Sequence, residues 1–299
     1  MAAPILVSAF SRPDKLEKIL VPLQGVTNPI YCVVDGPRDE RDLPNIDSVK
    51  RVIDKSGIDF RNILYFDQNQ GTDSVAKGID WVLGDNDSII VVEEDVLISS
   101  QFLSFAERLL EYYADNESIG SISAMNLVPK SFITRPEDHY RYSCYFYAWG
   151  WATWKSRWDQ MISINSWNVS ALKTPKTARH PLTAWKWKAR LRDVEAGRAQ
   201  GLWDYRWIYT YWTNSWLTII PNVNLALNIG FDTSASHTKV PPDWAPQFMD
   251  EIKNPLEHSR EIKQDLSADS WSSRYVHNSH WTTIAKTITK NKMKSLRNE

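Results

Sequence analysis

The feature that most limits the fold of this chain is the alternation in its first 125 residues. Short apolar runs recur at 4–10, 29–36, 62–67, 88–95 and 119–126, with amphipathic stretches at 12–23, 43–57, 72–84 and 99–115 between them. Continuous apolar runs of this length predict strands buried on both faces, and the intervening 3.6-residue period predicts crossover helices. Pro13 opens the first helical stretch, Gly57 stops the second and Thr72 is the expected N-cap of the third. The fold class that follows is α/β, with a mainly parallel sheet covered by helices on both faces.

In open sheets of this kind, ligands bind at the carboxyl ends of the strands. Here those ends carry Ser11 and Arg12, Asp35 and Gly36, residues 67–71, the triplet Glu93, Glu94 and Asp95, and Asn126. The triplet ends the apolar strand "SIIVVEED". Three adjacent carboxylates repel one another and resist desolvation, so they face open water or meet a cation. Hard divalent cations such as Mg²⁺ or Mn²⁺ favour carboxylate oxygens and share substrate phosphates. No Gly-x-x-x-x-Gly-Lys and no Gly-x-Gly-x-x-Gly is present, which argues against a P-loop enzyme or a dinucleotide oxidoreductase.

Beyond residue 126 the alternation fades. Residues 140–158 read as an aromatic strand and turn leading into a helix, 181–217 as largely helical, and 216–230 as strand and loop. The chain holds 15 Trp, nearly all at or beyond residue 149, which suits either an aromatic core or a cleft for flat, amphipathic ligands. With 35 basic and 36 acidic residues there is no electrostatic footprint for nucleic acid. Cys32 and Cys144 sit in apolar contexts without a disulfide or metal-type spacing, which points to a reducing compartment. The first residues have neither a basic flank nor an apolar run long enough for a signal peptide or membrane span, so the expected location is the cytoplasm. The tail at 281–299 is basic, with apolar residues at Ile284, Ile288, Met293 and Leu296. That spacing fits peripheral attachment to the cytoplasmic face of a membrane as well as a solvated helix.

The order of these pieces resembles the GT-A glycosyltransferases, most of all the N-acetylglucosaminyltransferase I-like group and its small bacterial relatives. The resemblance runs over residues 4–239 through "SAFSRPDK", "CVVDG", "QNQGTDSVAKGIDW", "VVEEDVLISSQFLSF", "AWGWATWKSRW", "GLWDYRW" and "NIGFDTSASHT". It implies a nucleotide-sugar-binding half at 1–126, an acceptor-side half of the same domain at 127–240, and an extension at 241–299. It also implies a metal-dependent, inverting transfer from a nucleotide-diphosphate sugar, a UDP-sugar, to a glycan or lipid-linked glycan in bacterial surface polysaccharide synthesis. Carried over by residue, Arg12 and Asp35 hold the nucleoside, with Asp35 accepting from the base N–H. Glu94 meets the ribose, Asp95 holds Mn²⁺ or Mg²⁺, Asp204 is the general base, and Ser236 and His237 close over the diphosphate. The triplet here is Glu-Glu-Asp where the family has Glu-Asp-Asp.

Read from the residues alone, Asp204 could equally be a helix N-cap or a partner for Arg206, and His237 a solvated loop histidine. Its neighbours Trp203, Tyr205 and Trp207 are surroundings that raise a carboxylate's basicity. Asn69 and Gly71 fit turn chemistry. Two other functions compete: a sugar-nucleotide nucleotidyltransferase and a non-catalytic carbohydrate-binding protein. The first needs a Gly-rich loop after the first strand, where this chain has "SAFSRPDK".

Overall fold

The computed structural model of the chain describes residues 2–175, 181–198, 203–232, 240–258 and 261–277. Its first strand, β1 (Ile5–Ala9), leads through α1 (Pro13–Leu20) to β2 (Ile30–Val34), and α2 (Leu43–Lys55) leads to β3 (Phe60–Tyr65). Then come α3 (Asp73–Leu83), β4 (Ser88–Glu93), the short β5 (Val96–Ile98), α4 (Ser100–Tyr112) and β6 (Ile119–Ser123). The second half contributes β7 (Tyr140–Ser143), β8 (Trp151–Trp154), α5 (Lys155–Trp158), α6 (Pro181–Glu195), α7 (Trp203–Asn214), β9 (Leu217–Pro221), β10 (Ala226–Asn228) and α8 (Leu266–Tyr275).

Successive side chains of a strand point to opposite faces, yet Ile5, Leu6 and Val7 of β1 and Ile89 to Val92 of β4 are all fully buried. Both faces of the sheet are therefore covered, as the apolar runs predict. Local chemistry sets most helix starts. Pro13 supplies no N–H where none is needed in α1, and the Ser99 hydroxyl accepts from the Phe102 amide at 3.3 Å to cap α4. Thr72 departs from expectation: it stands at the N-cap position of α3 with helical dihedrals and makes no capping hydrogen bond.

The strand order is β3-β2-β1-β4-β8-β6-β9-β7. Pairs β1–β2, β2–β3, β1–β4 and β6–β9 are parallel, whereas β4–β8, β6–β8 and β7–β9 are antiparallel. The aromatic segment at 140–158 is thus two separate strands, one at the sheet edge and one between β4 and β6. Side-chain periodicity marks a strand but says nothing of its distant partner, so this insertion was not readable from pattern. A small antiparallel pair, β5 with β10, sets Asn228 opposite Val96, directly after the acid triplet.

Most tryptophans fill the space over this second half. Trp151 stacks on Trp203 at 5.6 Å, and Trp158 and Trp216 pack on Trp207 at 5.0 and 5.5 Å. These rings are buried, so much of the Trp content belongs to the core.

Candidate functional site

From β1 the chain moves outward to β2 and β3, then returns to place β4 on the other side of β1. The order of strands reverses between β1 and β4, and a crevice opens at their carboxyl ends. Arg12 follows β1 there, and Glu93, Glu94 and Asp95 end β4. The crevice is a cleft of about 640 Å³ whose walls include Arg12, Asp35, Asp95, Trp149, Trp203 and Gly230.

The three carboxylates meet three different environments. Glu94 Oε1 accepts from Arg12 Nε at 2.7 Å and Oε2 from the Phe10 amide at 2.6 Å. Asp95 Oδ2 accepts from Arg12 Nη1 at 2.9 Å. Glu93 makes no ion pair with Arg12, whose charge only opposes the shift at Glu93. Burial, then the charges of Asp95 and Asp204, push its carboxyl up to about 8, so it is chiefly protonated at neutral pH. Burial works against the Arg12 charge, but Asp95 and Glu94 hold its pKa above the ordinary arginine value. The expectation of a cation beside the triplet is met by Arg12 itself.

Asp35 ends β2 and is buried. Its Oδ1 accepts from the Gly36 and Gln70 amides, each at 2.8 Å, and its Oδ2 from Asn69 Nδ2 at 2.8 Å. Burial raises its pKa against these hydrogen bonds. Here Asp35 pins the 69–71 loop, and Gly36 allows it: a Cβ on Gly36 would fall 2.5 to 2.7 Å from the backbone of Gln68. Arg38, tied to Asp42 at 2.7 and 2.8 Å, lies over the Phe10 ring at 5.0 Å and closes this end of the cleft.

At the other end, Trp203 and Asp204 begin α7, with Asp204 in the first turn. Its charge is felt at Glu93. The stem after β10 closes against the triplet: the Ile229 amide donates to the Asp95 carbonyl at 2.8 Å and the Gly230 amide to Asn228 Oδ1 at 2.7 Å. Lys15 pairs with Asp232 behind it. Arg12, Asp35, Glu94 and Asp95 therefore share one cleft, and Asp204 borders it beside Trp203. Ser236, His237 and the basic tail at 281–299 lie outside the described residues. Motif reading missed Glu94 as a buried acid, the Phe10 amide, Gly230 and the Arg38–Phe10 cover. Only the apolar run into Glu93 carried a signal of burial.

No group of three metal-type side chains occurs among the described residues. Asp95 has one oxygen on Arg12 and one, Oδ1, that takes no hydrogen bond from the described residues. That donor set does not make an all-protein cage. It fits a hard cation held by one carboxylate and completed by diphosphate oxygens. No helix among the described residues is long and apolar enough to cross a membrane.

No protein-family model and no curated protein matches the sequence. Among solved structures, a cytidylyltransferase from Leptospira borgpetersenii is similar over 61% of this chain and 69% of its own, at 14% identity and a TM-score of 0.35. The 1–349 fragment of TarS from S. aureus is similar over 63% of this chain, at 15% identity and a TM-score of 0.37. Only 55% of that fragment is spanned. A putative nucleotide-diphospho-sugar transferase from Desulfovibrio desulfuricans is similar over 64% of this chain and 78% of its own, at 10% identity and a TM-score of 0.33. The functional reading rests on the cleft itself.

Proposed function

We propose that the cleft binds a nucleotide-diphosphate sugar, with UDP as the nucleotide. In this reading the chain transfers the hexosyl or N-acetylhexosaminyl group, with inversion, to a glycan acceptor of a bacterial surface polysaccharide. The observation that carries the reading is the convergence at one switch point of Arg12, Glu94 and Asp95, with Asp35 on one side and Trp203 and Asp204 on the other.

Each residue has a separate task. Asp35, Asn69 and Arg38 bound the nucleoside end. Arg12 balances one of the two negative charges of Glu94 and Asp95, and the protonated Glu93 adds none at neutral pH. A Mg²⁺ or Mn²⁺ on Asp95 would supply Lewis-acid neutralisation of the leaving diphosphate. Asp204, at the start of α7, accepts the proton of the acceptor hydroxyl as that oxygen attacks. A base on the side of the sugar opposite the diphosphate gives inversion.

The nucleotidyltransferase alternative needs backbone amides after β1 for phosphate. Here the Phe10 amide is held by Glu94 and the chain enters α1 at once.

Calorimetric titration with UDP and CDP in the presence of Mn²⁺ tests the donor, and UDP is expected to bind more tightly. Replacing Asp204 by Asn is expected to lower kcat by roughly 10²–10⁴-fold with little change in UDP affinity. An α-linked donor should yield a β-linked product by NMR. Retained configuration, or near-wild-type turnover of the Asn variant, would show that Asp204 is structural.

A further inference from the structure

Two tryptophans differ from the buried set. Trp149 and Trp244 stack on each other at 6.0 Å and 20°, and Phe231 stands edge-on to Trp149 at 6.0 Å and 85°. All three remain partly exposed. Trp149 and Phe231 line the same cleft as Glu93 and Asp95.

The sheet register explains the placement. Strand β8 runs antiparallel to β4 with Trp151 opposite Val91. Trp149 lies two residues before Trp151, across the left-handed bend at Gly150, where it lines the cleft with Glu93. Trp244 arrives from a loop that the core holds in place. Buried Asn224 donates to the Phe248 carbonyl at 2.9 Å and accepts at its own carbonyl from the Asp250 amide at 2.8 Å. The Ile252 amide donates to Gln101 Oε1 at 3.0 Å. The aromatic surface is thus built in advance, beside carboxylates and at the end of the cleft away from Asp35 and Arg38.

A wholly apolar partner would have to desolvate those carboxylates. A flat ring with C–H bonds on one face and hydroxyls at its rim satisfies both surfaces at once. We propose that Trp149, Trp244 and Phe231 form a subsite for a pyranose ring, that of the acceptor glycan. The name acceptor rests on the glycosyl-transfer reading above, whereas the saccharide subsite can be tested without it.

The full chain is examined by saturation-transfer NMR with methyl β-glucopyranoside, methyl β-galactopyranoside and methyl N-acetyl-β-glucosaminide. UDP affinity in the presence of Mn²⁺ is measured in parallel. At least one glycoside should receive saturation at its ring C–H protons. Its Kd should rise about tenfold, the loss of one good contact, in the Trp244→Ala variant. Trp244→Phe, which keeps an aromatic face, should retain most of the binding, and UDP affinity should be equal in all three proteins. Normal UDP binding with no glycoside bound, or with glycoside affinity unchanged in Trp244→Ala, overturns the subsite. Glycoside binding that depends on Trp244, in a chain that binds no UDP, upholds the subsite and removes the glycosyl-transfer reading instead. A Trp244→Ala protein that fails to fold is replaced by Trp149→Phe and Trp149→Leu, which must show the same order of affinities.

Discussion

Gly230 is a position at which one added carbon should disturb the site. An alanine Cβ there would lie 2.1 Å from Asp95 Oδ2 and 2.9 Å from Asn228 Oδ1. Ordinary contact begins near 3.4 Å, so the Asp95 carboxylate or the 228–231 stem must retreat by more than 1 Å. If the carboxylate moves, it leaves Arg12 Nη1, now at 2.9 Å. If the stem moves, the Gly230 to Asn228 bond at 2.7 Å and the Ile229 to Asp95 bond at 2.8 Å are strained. A charge-assisted hydrogen bond contributes roughly 1.5–3 kcal/mol, and overpacking typically costs about 1–3 kcal/mol. A loss of about 2 kcal/mol lowers Tm by roughly 4–8 °C in a chain somewhat smaller than this one.

Both escapes also move Asp95 relative to the rest of the cleft. Misplacement on the order of 1 Å can lower turnover by about 10²-fold. The assay is a thermal melt of Gly230→Ala with UDP titrations in Mn²⁺. The double variant Asp95→Ala with Gly230→Ala removes the nearest clashing atom, so its loss of Tm should be smaller than the sum of the two separate losses. A Gly230→Ala protein with wild-type Tm and wild-type UDP affinity would refute the reasoning, because the close approach would then carry no energy.

Three further outcomes follow from the same geometry. Arg12→Gln leaves Glu94 and Asp95 facing each other without a cation. It should destabilise the fold by about 3 kcal/mol, and Glu94→Gln in the same chain should recover part of the loss in chemical denaturation. Asp95→Ala should abolish the Mn²⁺ dependence of UDP affinity while preserving the fold, as calorimetry with and without Mn²⁺ will show. His277 lies parallel to the Tyr147 ring at 6.1 Å, and burial, then Lys186, hold its pKa down to about 3 against an ordinary 6.5. The unfolded chain therefore binds the extra proton between these values, and stability is kept above pH 6.5 and lost as pH falls towards 3. His277→Phe keeps a stacking ring without the proton, so its urea midpoint should depend less on pH over that window.

What could be read in advance divides along the range of the interactions. The strands ending at Ala9, Val34 and Glu93 were legible because burial on both faces demands an unbroken apolar run. Their common edge made Arg12, Asp35 and the triplet neighbours before any coordinates. The Arg12–Glu94 pair joins residues 82 apart, and which acid of the triplet is buried depends on which way β4 is turned. The stack of Trp149 on Trp244 depends on where β8 is inserted and on how Asn224 holds a loop. Gly230 shows its constraint only once β10 lies beside β5. Thr72 looked like a cap by type, but the chain is already helical there and its hydroxyl cannot reach back.

The acid triplet shows why residue type alone did not rank these positions. Three identical charges on one strand end would be costly if treated alike, and the fold treats each differently. Glu93 is pushed towards its neutral form, since burial and the charges of Asp95, Asp204 and Glu94 outweigh that of Arg12. Glu94 keeps its charge because two protein donors, Arg12 and the Phe10 amide, take both its oxygens. Asp95 shares only one oxygen with Arg12 and turns to the cleft. The second arrangement commits both Glu94 oxygens to protein donors, whereas Glu93 lines the cleft beside Asp95. Of the two carboxylates that Arg12 binds, Asp95 is therefore the one with an oxygen that no described residue takes.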